Sequence, residues 1–137
     1  MIGSNDVRPG LCRGVLMQAL DLCLVEGAGG WKVPVNDREL LSDLVRALGL
    51  PVILVVGLRL GCINHALLSA QAILLDGLPL AGWIANCVDP DMPAREDNLA
   101  SLTARIPAPL LATITHRPGP DADCAADIDL DRLLAGD

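Results

Sequence analysis

Phenylalanine and tyrosine are absent from this 137-residue chain, and Trp31 and Trp83 are its only aromatic residues. Aromatic packing therefore cannot build the interior. Val, Leu, Ile and Ala must fill it, a composition that suits a sheet covered by helices. Lysine is nearly missing as well: Lys32 stands alone beside nine arginines, and 10 basic residues face 17 acidic ones. The resulting net charge of −7 argues against a DNA or RNA footprint. Cys12, Cys23, Cys62, Cys87 and Cys124 are scattered without a C-x-x-C pair, and His65 and His116 are the only histidines. These spacings argue against a zinc cluster or a disulfide framework, so a reducing cytoplasm is the expected compartment. Cys23, inside an apolar run, is expected to pack as a small hydrophobe. No apolar run reaches the roughly 18 residues that a membrane span needs, and no signal peptide opens the chain. The phosphate-loop motif G-x-x-x-x-G-K-[ST] does not occur, because Lys32 follows Trp31 with no such glycines before it.

What is present is apolar, at 52% of the residues, enough for the core of about one domain. Asp21-Leu22-Cys23-Leu24-Val25-Glu26 has the look of a short strand ending at Gly27-Ala28-Gly29-Gly30. Leu40, Leu41, Leu44, Val45 and Leu48 then recur at helical spacing. Asn36 with Glu39 three residues on would start that helix as a capping box, and Gly49 with Pro51 would stop it. Val52 to Val56 form a continuous apolar run of the kind buried on both faces of a parallel sheet. Ile63, Ala66, Leu67, Ala70, Ile73 and Leu74 make the next helical stripe, closed by Asp76-Gly77. Leu80 to Ala85 form another strand, residues 94–105 another helix and Leu110 to Ile114 a last short strand. Strand and helix alternate four times with short joints, which implies βαβ crossovers and an α/β class. Residues 1–117 form the expected domain. In 118–137, Pro118, Gly119 and Pro120 lead into six aspartates, and Leu130, Leu133 and Leu134 suit one short helix.

In open parallel sheets, ligands bind beyond the carboxyl ends of the strands. Three features fall there. Glu26 precedes glycines that let backbone N–H groups approach a phosphate, and its carboxylate suits Mg²⁺. The plainer reading is a glycine-rich turn with a solvated acid. Gly57 to His65 joins a strand end to a helix start, where free N–H groups near Cys62, Ile63 and Asn64 would attract a carboxylate or phosphate. The plainer reading is a connecting loop with Asn64 as a local cap. Asn86 follows an apolar strand, and its carboxamide offers the donors and acceptor that pair with an adenine edge. Asn is also simply a good turn residue. His65 lacks a nearby acid to orient it as a base, and Arg59 is expected to be exposed.

Three segments in this order and spacing resemble the carboxyl-terminal half of the dethiobiotin synthetase family. They are Leu24-Val25-Glu26-Gly27-Ala28-Gly29-Gly30-Trp31, then Leu50 to Gly57 running on to Leu60-Gly61-Cys62-Ile63-Asn64-His65-Ala66-Leu67-Leu68-Ser69-Ala70-Gln71, then Leu80 to Asn86. Ile106-Pro107-Ala108-Pro109-Leu110-Leu111 adds support, and the likeness covers roughly residues 11–116. It implies a partial parallel sheet flanked by helices, a P-loop NTPase-like fold without its amino-terminal part. It also implies an ATP-dependent cyclo-ligase of biotin biosynthesis that closes the ureido ring of dethiobiotin from 7,8-diaminononanoate, CO₂ and Mg-ATP. By resemblance Glu26 is a Mg²⁺ ligand, Gly27, Ala28 and Gly29 line the phosphates, and Asn86 with Cys87 lies at the adenine. Gly61, Cys62, Ile63 and Asn64 would hold the substrate carboxylate across a two-fold homodimer interface. The family's phosphate loop, second acidic metal ligand and catalytic lysine have no counterpart in this sequence, and Thr115 stands where a proline usually flanks the adenine. The isolated chain is thus expected to be inactive, and either poorly soluble or dependent on a partner, a homodimer mate or a complementary amino-terminal half. Two alternatives remain: a non-catalytic dimerisation and carboxylate-binding module, and a cobyrinate-type amidoligase, with which Glu26-Gly27-Ala28-Gly29-Gly30 alone would be shared.

Overall fold

A computed structural model describes residues 23–117 and 128–129. The chain forms two compact units, Met1–Leu50 and Pro51–Asp137.

In the first unit, residues 23–28 have no regular secondary structure. The expected strand over 21–26 is therefore not formed across its described part, and Asp21 and Leu22 lie outside the described residues. Apolar content alone does not hold a strand. It needs a neighbour for its N–H and C=O groups, and here Leu24 is 78% and Val25 49% exposed. Cys23 is exposed too, which corrects its expected packing. Farther on, Pro34 and Leu40 form an antiparallel bridge, and the Leu41 N–H donates to the Val33 carbonyl at 2.8 Å. Asn36 turns the chain between them. Its Oδ1 accepts the N–H groups of Arg38 and Glu39, each at 2.9 Å, and its Nδ2 donates to Glu39 Oε2 at 2.6 Å. The Asn36–Glu39 pair thus stabilises a turn rather than a helix start.

Helix α1 (Leu41–Leu48) begins beyond that turn. Leu40 is its cap residue, and the Leu40 N–H donates to Asp43 Oδ2 at 2.9 Å while the Asp43 N–H reaches the Leu40 carbonyl at 3.0 Å. Asp43 occupies the position expected of Glu39, and an acid there also complements the helix dipole. Gly49 ends the helix in the left-handed conformation at φ 67°, where glycine carries no Cβ penalty.

The second unit alternates β1 (Val52–Gly57), α2 (Cys62–Leu75), β2 (Leu80–Asn86), α3 (Arg95–Thr103) and β3 (Leu110–Ile114). The strands pair in the order β1-β2-β3, parallel throughout, as the alternating pattern predicts. Val55 pairs with Ile84 and Gly57 with Asn86, while Ile84 pairs with Ala112 and Asn86 with Ile114. Helix α2 packs on β1 and β2 and against α3. Trp83, Leu58, Ile73 and Leu102 are completely buried, so one indole and the aliphatic side chains form the interior. The Trp83 indole N–H has no hydrogen-bond acceptor among the described residues, so its contribution there is volume and apolar area. Gly82, next to it, lies against Leu111: a Cβ there would stand 2.5 Å from Leu111 Cδ1. The expected short helix around Leu130, Leu133 and Leu134 lies outside the described residues.

Candidate functional site

The parallel register brings the carboxyl ends of three strands to one edge of the second unit. Asn86 is the last residue of β2 and sits between Gly57 at the end of β1 and Ile114 at the end of β3. Its main chain is held firmly. The Asn86 carbonyl accepts the Leu58 N–H at 2.7 Å and the Val88 N–H at 2.9 Å, and the Cys87 N–H donates to the Ile114 carbonyl at 2.8 Å. The half-buried Asn86 carboxamide makes no hydrogen bond to the protein among the described residues. Among the described residues nothing takes up its two donors or its acceptor, which leaves them open to a ligand or solvent. Gly57 presents no side chain beside it, and Val88 lies 3.4 Å from where a Cβ on Gly57 would be.

The loop after β1 builds the second part of the site. Gly61 takes φ 89°, a left-handed conformation that admits glycine readily, and starts α2 without a side-chain cap. Asn64 is therefore not a cap. The Cys62 N–H turns back to the Arg59 carbonyl at 3.0 Å, so it does not point outward as the sequence suggested. The N–H groups of Ile63 and Asn64 have no acceptor among the described residues, and they keep the helix terminus electropositive. The Cys62 side chain is 2% exposed, with Sγ 3.9 Å from Asn98 Oδ1 on α3, a contact that ties the start of α2 to α3. A cleft of ≈ 350 Å³ runs between these elements, lined among others by Gly57, Arg59, Cys62, His65, Ser69 and Val88. It reaches Gly57, the strand-end partner of Asn86, and Cys62, the first residue of α2.

In the first unit, Glu26 is exposed and precedes a turn whose glycines have distinct reasons to be there. Gly29 and Gly30 take φ 90° and 109°, backbone that side chains rarely adopt. Gly27 lies against Leu41, whose Cδ2 would be 2.9 Å from an added Cβ. An exposed carboxylate is chemically apt for Mg²⁺, which is commonly held by one or two carboxylates together with substrate phosphates. Among the described residues no cluster of three or more His, Cys, Asp or Glu side chains could cage a metal by itself.

Residues 10–122 match the family described as AAA domain. The chain belongs to that family. It is 57% identical over 132 residues to the ATP-dependent dethiobiotin synthetase BioD of Cellvibrio japonicus, covering 96% of this chain and 58% of that protein. A second protein of that name, from Pseudomonas paraeruginosa, is 60% identical over 126 residues, which is 90% of this chain and 55% of the relative. A third, from Aromatoleum aromaticum, is 56% identical over 111 residues, covering 80% and 49%. The resemblance read from the sequence is thus supported, and the chain spans about half the length of the curated relatives it matches.

Of the expected groups, Cys62 lines the cleft and Asn86 pairs with the cleft residue Gly57 in the second unit, while Glu26, Gly27, Ala28 and Gly29 belong to the first. Cys87 is 3% exposed, so its contribution at this position is its main chain. Arg59 and His65 are exposed on the cleft, in line with their sequence reading. Sequence reasoning missed Val88 and Ser69 as cleft residues, and their types carried no signal. Gly57 was legible only as the glycine closing an apolar run. No helix among the described residues is long and apolar enough to cross a membrane.

Proposed function

We propose that this chain serves an ATP-dependent dethiobiotin synthetase, a cytoplasmic enzyme that forms the ureido ring of dethiobiotin from 7,8-diaminononanoate, CO₂ and Mg-ATP. The observation that carries the reading is the unsatisfied Asn86 carboxamide, held at a parallel-strand end beside the Gly57 cleft. The names of the relatives support it. Asn86, with the Cys87 main chain, reads the adenine edge. The N–H groups of Ile63 and Asn64, in the Gly61–Asn64 turn, take the substrate carboxylate, each such charge-assisted hydrogen bond being worth about 1.5–3 kcal/mol. Glu26 is the chain's ligand for Mg²⁺, and Gly27, Ala28 and Gly29 line the phosphates. Bound Mg²⁺ neutralises charge on the transferring phosphoryl group.

In this reading one substrate amine adds to CO₂ and loses a proton to give a carbamate. A carbamate oxygen attacks the γ-phosphorus of ATP and ADP leaves. The second amine then attacks the carbonyl carbon of the mixed anhydride, closing the ring and releasing phosphate. Stabilisation of phosphoryl charge dominates such chemistry. With Lys32 as their only lysine and no phosphate-loop motif, these 137 residues do not themselves supply such groups. A complementary amino-terminal half supplies them, and a homodimer completes the carboxylate site.

Titration calorimetry with Mg-ATP, Mg-GTP and diaminononanoate tests the assignment. Asn86→Ala is expected to weaken Mg-ATP binding about 5- to 100-fold, the loss of two or three hydrogen bonds, and to leave the diamino acid unaffected. Equal affinity of variant and wild type for Mg-ATP defeats the reading. Binding of the diamino acid without any nucleotide binding would instead identify a non-catalytic module. Phosphate release that depends on diaminononanoate, by the purified chain alone, would show that no partner is needed.

A further inference from the structure

The two faces of the sheet are covered unequally. Strand alternation and register place Val56, Trp83 and Ala85 on one face, at 5%, 0% and 0% exposure. Ile53, Val55 and Ile84 share the other, where Val55 is 57% exposed and Ile53 is half-buried. Ile128 packs against the Ile84, Leu111 and Ala112 cluster, as do Ile53 and Ile114. The next residue binds the backbone: the Asp129 N–H donates to the Leu111 carbonyl at 2.9 Å. The Ile114 carbonyl faces β2, where it accepts the Cys87 N–H, whereas the β2–β3 register shifts at Leu111, between the Trp83–Leu110 and Ile84–Ala112 pairs, and the Leu111 carbonyl accepts from Asp129 instead.

From these contacts we propose that Ile128 and Asp129 form a strap that positions Asn86. The strap holds β3 at Leu111, β3 presents the Ile114 carbonyl to Cys87, and Cys87 fixes the direction in which the Asn86 carboxamide is offered. Ile128 and Asp129 are positioning residues that need not touch a nucleotide. The proposal rests on the adenine-reading role of Asn86 for its functional meaning, while its structural half stands on the contacts alone.

Amide hydrogen exchange and nucleotide titration on the full chain test the two halves separately. Ile128→Ala removes the packed side chain and Asp129→Pro removes the N–H donor. Each is expected to speed exchange at Cys87 about tenfold while leaving Val52, whose N–H donates to the Pro79 carbonyl at the far end of the sheet, unchanged. Ile128→Val should restore Cys87 protection. The preference for Mg-ATP over Mg-GTP is expected to fall about tenfold in Ile128→Ala and to return in Ile128→Val. Unchanged exchange at Cys87 overturns the strap, and so does equal acceleration at Cys87 and Val52, which marks a general stabiliser. A wild-type chain without adenine preference overturns the Asn86 reading instead, leaving the strap to be decided by exchange.

Discussion

Glu26 and Asn86 both follow apolar runs, yet they end in different physical situations. Asn86 closes a strand whose neighbours on both sides satisfy its backbone, so its carboxamide is delivered from a fixed main chain. Glu26 follows residues with no strand structure and large exposed side chains, and its turn is shaped by glycine backbone and by Leu41 packing. A functional group at a strand end inherits the rigidity of the sheet, whereas one before a glycine turn depends on local geometry and on what binds it.

The sharpest way to break this contrast is to remove the core under one site. Trp83→Ala empties a completely buried position, and such truncations cost about 3–5 kcal/mol. Denaturant unfolding followed by far-ultraviolet circular dichroism should show the loss. A change below about 1 kcal/mol would mean that β2 is not the rigid support of Asn86. Gly82→Val acts on the same strand by overpacking. Its Cβ would meet Leu111 side-chain atoms at 2.5 and 2.6 Å, so a loss of about 1–3 kcal/mol is expected. Combined with Leu111→Ala, much of that loss should be recovered, because the clash is with a side chain rather than backbone.

The same contrast explains what the sequence disclosed. β1, β2 and β3 were legible from their continuous apolar runs, and here the ladders form, although β1 is not buried on both faces as its run suggested, since Val55 is 57% exposed. The run at 21–26 has the same signature. Composition does not reveal whether a neighbouring strand is there to pair with, and residues 23–26 stay irregular. The start of α1 was misplaced for a different reason. Asn36 and Glu39 have capping-box spacing, but the Pro34–Leu40 bridge folds them into a turn and hands the helix start to Leu40 and Asp43. Leu is a poor cap by type, so nothing in the residue announces it. At the site, the roles of Asn86 and the Gly61 turn follow from where strands end and helices begin. The contribution of Val88 to the cleft follows from a chain return that no spacing encodes.

Asn36→Ala probes the turn itself. It removes the acceptor of two backbone N–H groups and the donor to Glu39, and should cost about 0.5–2 kcal/mol, as for other side chains that satisfy turn or cap N–H groups. Asn36→Asp keeps the acceptor and should recover part of the loss, reduced by repulsion from Glu39. Equal losses in both variants would make the Nδ2 donor the important group.

The smallest effect is expected at Glu26. Its side chain is exposed and makes no hydrogen bond to the protein among the described residues, so Glu26→Gln should leave stability within about 0.5 kcal/mol. The substitution keeps the size and removes the charge, so any larger effect must come from electrostatics. A measurable loss in thermal midpoint without nucleotide or metal would therefore show that the carboxylate already has a structural partner. If stability is unchanged, Mg²⁺-dependent stabilisation of the nucleotide complex becomes the informative reading. Loss of that increment in Glu26→Gln assigns the charge to the metal, since a carboxamide oxygen is the weaker ligand for a hard cation. Retention of the full increment removes Glu26 from the metal site and leaves its turn a structural feature shaped by the backbone of Gly29 and Gly30 and by Gly27 against Leu41.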